Sequence, residues 1–250
     1  MTQPLARLET LGSLECHVID FGAEYPPTAV ALLCHGYGAP GSDLVGVAGE
    51  WIHLLGDAAR AFRFVFPVAP NSLAELGMPD GRAWWPINMA QLMEHVQANR
   101  FDELHQKTPP GIDEAREKLS ATIRAAVDGI TTSSKTALAI GGFSQGAMLT
   151  MDTALRGDIP TPDLLIQFSG TVVCQEDWSK AMPRLKETRV YQSHGTIDPV
   201  LPYSSATHLR DLIGAGGIQA DFHSFDGPHT IDLDSVAATA TLLKRLVPGA

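Results

Sequence analysis

The segment that most restricts how this chain can fold runs from Thr136 to about Leu155. A short apolar run, Thr136 to Ile140, enters Gly141-Gly142-Phe143-Ser144-Gln145-Gly146, and a helical pattern opening with Ala147-Met148-Leu149-Thr150-Met151 follows. Gly142 to Gly146 fit G-x-S-x-G, a sharp strand-to-helix turn whose glycines relieve crowding around a strained serine. Such a turn needs a buried strand before it and a helix behind it, and therefore a mostly parallel sheet covered by helices. A glycine-rich turn whose serine merely caps the helix is the alternative reading of the same residues.

The remaining sequence supplies the other units of such a sheet. Short apolar runs alternate with longer amphipathic ones, the pattern of repeated βα units in an α/β fold. Val30 to His35, Phe62 to Phe66, Leu164 to Phe168, Arg189 to Ser193 and Ala220 to Ser224 are predicted strands, and Leu5 to Glu15 with Cys16 to Phe21 a hairpin around Gly12. Helical spacing puts Leu44, Val47, Trp51, Leu54 and Ala58 on one face, Ile112, Ala115, Leu119, Ile123 and Val127 on a second, and Leu233, Val236, Ala240 and Leu243 on a third. Residues 89 to 130 are predicted helical, with Pro109 and Pro110 where a helix can begin, and further helices cover Ser204 to Ile213 and Asp232 to Leu246. Pro67 to Asn88, rich in Pro, Gly and Trp and lacking any period, is expected to be a loop that lines a site. No repeat or linker divides the 250 residues, which fit one domain, 1–250, with a pocket insertion around 67–110.

Charge narrows the function. A formal net charge of −10 argues against a nucleic-acid partner, because phosphate binding needs a basic face. Lys and Arg are scattered, and no apolar run approaches the roughly 18 residues of a membrane span, so no stable membrane anchor is expected. A neutral or weakly charged small molecule fits better as the partner. Cys16, Cys34 and Cys174 are odd in number and unpaired in spacing, the usage of reduced structural thiols. Met1 to Glu15 lacks the basic and apolar regions of a secretory leader, so the expected compartment is the cytoplasm.

A serine hydroxyl is a poor nucleophile at neutral pH; it needs an imidazole to take its proton and a carboxylate to fix that imidazole's tautomer. After a turn of this kind the acid precedes the histidine in the chain. Three histidines follow the strand-end Asp198: His208 in a predicted helix, His223 in a predicted strand, and His229 in the turn Asp226-Gly227-Pro228-His229. Open α/β sheets place their sites in loops at the carboxyl ends of strands, which selects His229 as base. Asp198, in Ser193-His194-Gly195-Thr196-Ile197-Asp198-Pro199, has the matching position for the acid, with Asp226 and the Glu176-Asp177 pair as rivals. Backbone N–H donors for an oxyanion would come from Gln145 and from Tyr37 in His35-Gly36-Tyr37-Gly38. That loop lacks the spacing of a phosphate-binding or dinucleotide-binding motif, and acyl transfer of this type requires no metal or organic cofactor. Trp84 and Trp85 either wall an apolar groove or pack in the core, and Met78, Met89 and Met93 read as gap fillers.

Taken together, His35-Gly36-Tyr37-Gly38, Gly142 to Gly146 and His194-Gly195-Thr196-Ile197-Asp198-Pro199-Val200-Leu201-Pro202 resemble the H-G-x-G, G-F-S-Q-G and H-G-x-x-D-x-V-x-P segments of the phospholipase/carboxylesterase family. That family includes acyl-protein thioesterases and small bacterial carboxylesterases. The resemblance implies the α/β-hydrolase fold, a catalytic triad of Ser144, Asp198 and His229, an oxyanion hole from the amides of Tyr37 and Gln145, and hydrolysis of carboxylic esters or thioesters through an acyl-enzyme. Trp84-Trp85-Pro86 falls where the family has a W-F-D segment near the acyl pocket, and departures at Tyr37, Ala39 and Pro228 lie beside the expected site. Two other functions are compatible with the fold: a lactone or dienelactone-type hydrolase, whose nucleophile is typically cysteine, and a catalytically silent hydrolase-fold binding protein, which would usually show a broken triad.

Overall fold

A computed structural model describes residues 3–130 and 135–249. Strands form where apolar side chains recur with period two and can be buried on both faces. In β3 (Ala29–Cys34) Val30, Leu32 and Cys34 enter one core while Ala29, Ala31 and Leu33 enter the other, and all six are buried. In β4 (Phe62–Pro67) Phe62, Phe64 and Phe66 share a face, with the first two rings stacked 5.5 Å apart. The hairpin is β1 (Leu5–Leu11) and β2 (Leu14–Asp20), and the chain continues with β5 (Ala137–Phe143), β6 (Leu164–Phe168), β7 (Arg189–Gly195) and β8 (Ala220–Phe225).

Among the described residues these eight strands form one sheet in the order β1-β2-β4-β3-β5-β6-β7-β8. Every pairing from β4 to β8 is parallel, and only the β1–β2 and β2–β4 pairings are antiparallel. Helices α3 (Ile112–Asp128), α4 (Gln145–Arg156), α5 (Gln175–Ala181) and α6 (Tyr203–Ala215) bury Leu119, Ile123, Met151, Trp178 and Leu209 against one face. Helices α1 (Val45–Leu55) and α7 (Leu233–Lys244) cover the other with Trp51, Leu55, Val236, Ala240 and Leu243. Fully buried Asp152 ties α4 to its neighbours, accepting from Arg116 (2.9 Å), Arg156 (2.8 Å) and the indole N–H of Trp178 (2.8 Å), which compensates its desolvation.

The observed elements depart from the sequence expectation in five places, the first being Leu54, expected on the buried face of α1 but 46% exposed, because that face is carried by Ala48, Trp51 and Leu55. The predicted helical stretch 89–130 is α2 (Met89–Gln97), a short 3-10 turn (Phe101–Leu104) and α3, because Asn99 takes a left-handed φ of 51° and the Pro109-Pro110-Gly111 turn delays the restart. The 67–88 loop contains a small ribbon pairing Asn71–Ser72 with Arg82–Ala83. Helix α5 was not anticipated, since seven residues give too little periodicity to read. Leu233, expected on the buried face of α7, is 78% exposed at the first helical position, and the inward face begins at Ser235. No helix of the described residues is long and apolar enough to cross a membrane.

Candidate active site

The turn after β5 is built around close backbone approaches. A Cβ on Gly146 would run into the carbonyl of Cys34, and one on Gly142 into the backbone of Gly146, so both positions exclude any side chain. Ser144 sits between them at φ 55° and ψ −117°, a conformation unfavourable for a non-glycine residue, held by its own N–H donating to Phe168 O at 2.9 Å. The Ser144 side chain does not cap α4. It faces a cavity of about 740 Å³ that also reaches His229.

Asp198 and His229 leave the ends of β7 and β8, and these two exits are stitched together. Thr196 N–H donates to Phe225 O (2.9 Å) and Ile197 N–H to Gly227 O (3.2 Å), while a Cβ on Gly195 would strike the carbonyls of Gly227 and Pro228. The result is a hydrogen bond from His229 Nδ1 to Asp198 Oδ2 at 2.5 Å, with the His229 ring 4.7 Å from that of Phe143. The other carboxylate oxygen, Oδ1, accepts from Val200 N–H (2.8 Å) and Leu201 N–H (2.9 Å). Burial alone would raise the pKa of Asp198, but the donors from His194, His229 and Leu201 outweigh it and hold the carboxyl well below the usual range.

The competing residues lie elsewhere. His208 bonds to Gln175 Oε1 (2.8 Å) and stacks on His105, and His223 bonds to Asp232 (3.0 Å). Glu176 pairs with Lys180, Asp177 with Arg156, and Asp226 is exposed. Among the described residues no acceptor takes the backbone N–H of Tyr37 or of Gln145, and both residues line the cavity beside Ser144. With Nδ1 held by Asp198, His229 keeps Nε2 for a proton from a hydroxyl at the same cavity, and the two unengaged N–H groups are suited to stabilising a developing oxyanion.

Two buried polar residues, already named for their backbone or motif, organise the surroundings through side-chain contacts that the sequence does not reveal. His35 Nε2 accepts from Ala69 N–H (3.2 Å), which leaves the proton on Nδ1 to donate to Gly36 O (2.8 Å); burial pushes its pKa down. Fully buried Gln145 accepts from Trp84 N–H with Oε1 (2.9 Å) and donates from Nε2 to Trp85 O (2.8 Å), so its side chain clamps the 84–85 segment onto the turn. The structure brings Trp85 to the cavity but not Trp84, whose indole N–H donates to His35 O (2.8 Å) in the core behind it. Met89 lines the cavity and is 38% exposed, not a gap filler, while Met78 and Met93 are not among the lining residues. Replacing Gln145 by Met should leave the Trp84 N–H and Trp85 carbonyl unpaired, at about 1–3 kcal/mol each, visible as a lower urea midpoint.

A mostly parallel sheet with a strained serine at the end of a central strand, and an Asp–His pair beyond the ends of the last two strands, defines an α/β-hydrolase. The Phospholipase/Carboxylesterase family model matches residues 15–247, and the chain belongs to that family of hydrolases. Acyl-protein thioesterase 1 of Mycosarcoma maydis is 24% identical over 251 residues, covering 94% of this chain and 98% of that protein. The namesake from Kluyveromyces lactis is 29% identical over 237 residues, covering 88% and 92%. Among solved structures, esterase PE8 superposes with a TM-score of 0.70 at 24% identity, over 98% of this chain and 99% of its own. Zea mays acyl-protein thioesterase 2 gives 0.62 at 18%, over 93% and 98%.

Proposed function

We propose that this protein hydrolyses carboxylic esters, and thioesters of the same acyl groups, through an acyl-enzyme on Ser144. The observation that carries the reading is the strained, non-capping Ser144 facing the same cavity as an imidazole that is hydrogen-bonded to a buried carboxylate. His229 Nε2 takes the serine proton as Oγ attacks the acyl carbonyl, and Asp198 holds the ring and stabilises the imidazolium. The carbonyl oxygen, now an anion, is met by the N–H groups of Tyr37 and Gln145. Collapse of the tetrahedral species expels the alcohol or thiol, which leaves with the proton from His229. Water then attacks the acyl-enzyme, giving its proton to His229, and the acid departs as Ser144 is reprotonated. Relatives named acyl-protein thioesterase support including thioesters.

The segment 67–110, read as an insertion within one domain, supplies much of the acyl wall: Trp85, Ile87, Leu92, Phe101 and Leu104 line the cavity together with Met148. An apolar wall around a 740 Å³ space suits an extended acyl chain. Across p-nitrophenyl esters of increasing acyl length, kcat/KM should rise about fourfold per methylene over the first several carbons, the equivalent of ~0.8 kcal/mol each. A profile that is flat or falls beyond acetate rules out the cavity as the acyl site. The three cysteines are free and buried, which fits the reducing cytoplasm. A fluorophosphonate probe should label the protein at Ser144, and labelling elsewhere or not at all overturns the proposed nucleophile.

A further inference from the structure

We infer that His194 is a positioning residue that fixes the Asp198 carboxylate for His229. The inference rests on the roles proposed above for Asp198 and His229. His194 lies in β7 one residue before the exit glycine, is fully buried, and belongs to none of the steps of the reaction. Its Nε2 is 2.9 Å from Leu201 O and 3.2 Å from Asp198 Oδ2. A carbonyl and a carboxylate only accept, so Nε2 carries the proton, which it donates to Leu201 O while lying in close polar contact with Asp198 Oδ2. The other ring nitrogen, Nδ1, is buried with no partner among the described residues, as befits a lone pair and not an N–H.

The geometry closes a ring. Leu201 gives its N–H to Asp198 Oδ1 and receives the His194 proton on its own carbonyl, while the same Nε2 flanks Oδ2. Every rotation of the Asp198 carboxyl is thereby opposed at both oxygens: Oδ1 by two backbone amides, Oδ2 by two imidazoles. His194 and His229 both favour the charged carboxylate against the opposing effect of burial. Val200 and Leu201 also line the cavity, so the same ring sets a stretch of its wall. The ring of Tyr203 meets His194 edge-on, 6.4 Å between centroids, and completes its packing.

The test uses two polar replacements of similar burial cost. A glutamine amide reaches the place of Nε2, whereas an asparagine amide stops near the place of Nδ1. His194→Asn should lower kcat roughly 10- to 100-fold, the scale of a displaced catalytic group, and His194→Gln should return most of it. The downfield proton resonance of the His229 Nδ1–H···Asp198 bond should shift or broaden in the Asn variant and stay near its original position in the Gln variant. Equal kcat in the two variants, whether both near the parent or both reduced, overturns the inference, as does an unmoved resonance in the Asn variant. The resonance reports the Asp198–His229 pair without turnover. Full activity in a Ser144→Ala protein would therefore refute the proposed reaction, while the inference about His194 would still be judged by the spectrum.

Discussion

Ser144→Ala is expected to lower kcat by about 10⁶-fold and to abolish labelling by a fluorophosphonate. The magnitude follows from the way the parts cooperate. With no Oγ, there is nothing for His229 to deprotonate and no acyl-enzyme can form. What survives is the acceleration a bound ester gains from the cavity and from the Tyr37 and Gln145 amides, about 10³–10⁴ over water. His229→Ala should fall about as far, and the double variant little further, because two members of one proton-transfer unit cannot be lost twice. The alanine should also fold normally. Ser144 occupies its φ of 55° at some energetic cost, and its side chain makes no cap that alanine would forfeit. Undiminished turnover by Ser144→Ala, measured with purified protein, would eliminate the proposed mechanism.

Asp198→Asn should cost roughly 10⁴-fold in kcat, and here the surroundings dictate the cause. Oδ1 faces two backbone N–H groups, from Val200 and Leu201, so the asparagine oxygen must take that place. The amide NH₂ is then forced toward His229 Nδ1, which has to accept in place of donating. That leaves the imidazole proton on Nε2, the nitrogen that should receive the serine proton. Glu176→Gln, by contrast, should leave activity unchanged, since Glu176 is exposed and engaged with Lys180. If the glutamine removed activity and the asparagine did not, the acid would have to be reassigned. The same variant tests linkage. With its pKa depressed by folding, the carboxylate of Asp198 contributes stability at neutral pH that is lost as pH falls below the ordinary carboxylate range toward its own value. Asp198→Asn lacks that contribution, so its unfolding free energy should decline less steeply in acid.

How much of this was legible in the sequence depends on how local each feature is. The serine turn is contiguous, and its strand and helix are adjacent to it, so Gly142 to Gly146 announce themselves. Asp198 and His229 are readable because each follows a strand directly, which places them at one edge of the sheet before any contact is known. The strand order is different in kind. β4 lies between β2 and β3, and that pairing is settled by burial across the sheet, not by neighbours in the chain. The Gln145 side chain was read only for its backbone, because its partners Trp84 and Trp85 are 61 and 60 residues away. Trp84 and Trp85 are indistinguishable as adjacent tryptophans, yet one faces the core and the other the cavity. Likewise His194 is an ordinary strand residue until the fold sets Leu201 O beside it.

The clamp that Gln145 makes on Trp84 and Trp85 bears on how this scaffold would change under selection. Its backbone N–H is the proposed donor to the reacting carbonyl while its side chain anchors core residue Trp84 and wall residue Trp85, so a substitution at 145, 84 or 85 should move chemistry and fit together. Among the described residues, the wall beyond that anchor has no hydrogen bond to the turn. Ile87, Met89, Leu92 and Leu104 line the cavity from a segment set off by Pro86 at one end and Pro109-Pro110 at the other. Libraries aimed at new acyl groups should accordingly hold 84, 85 and 145 constant and diversify those four positions, where preference can drift while the rate of bond cleavage is left alone.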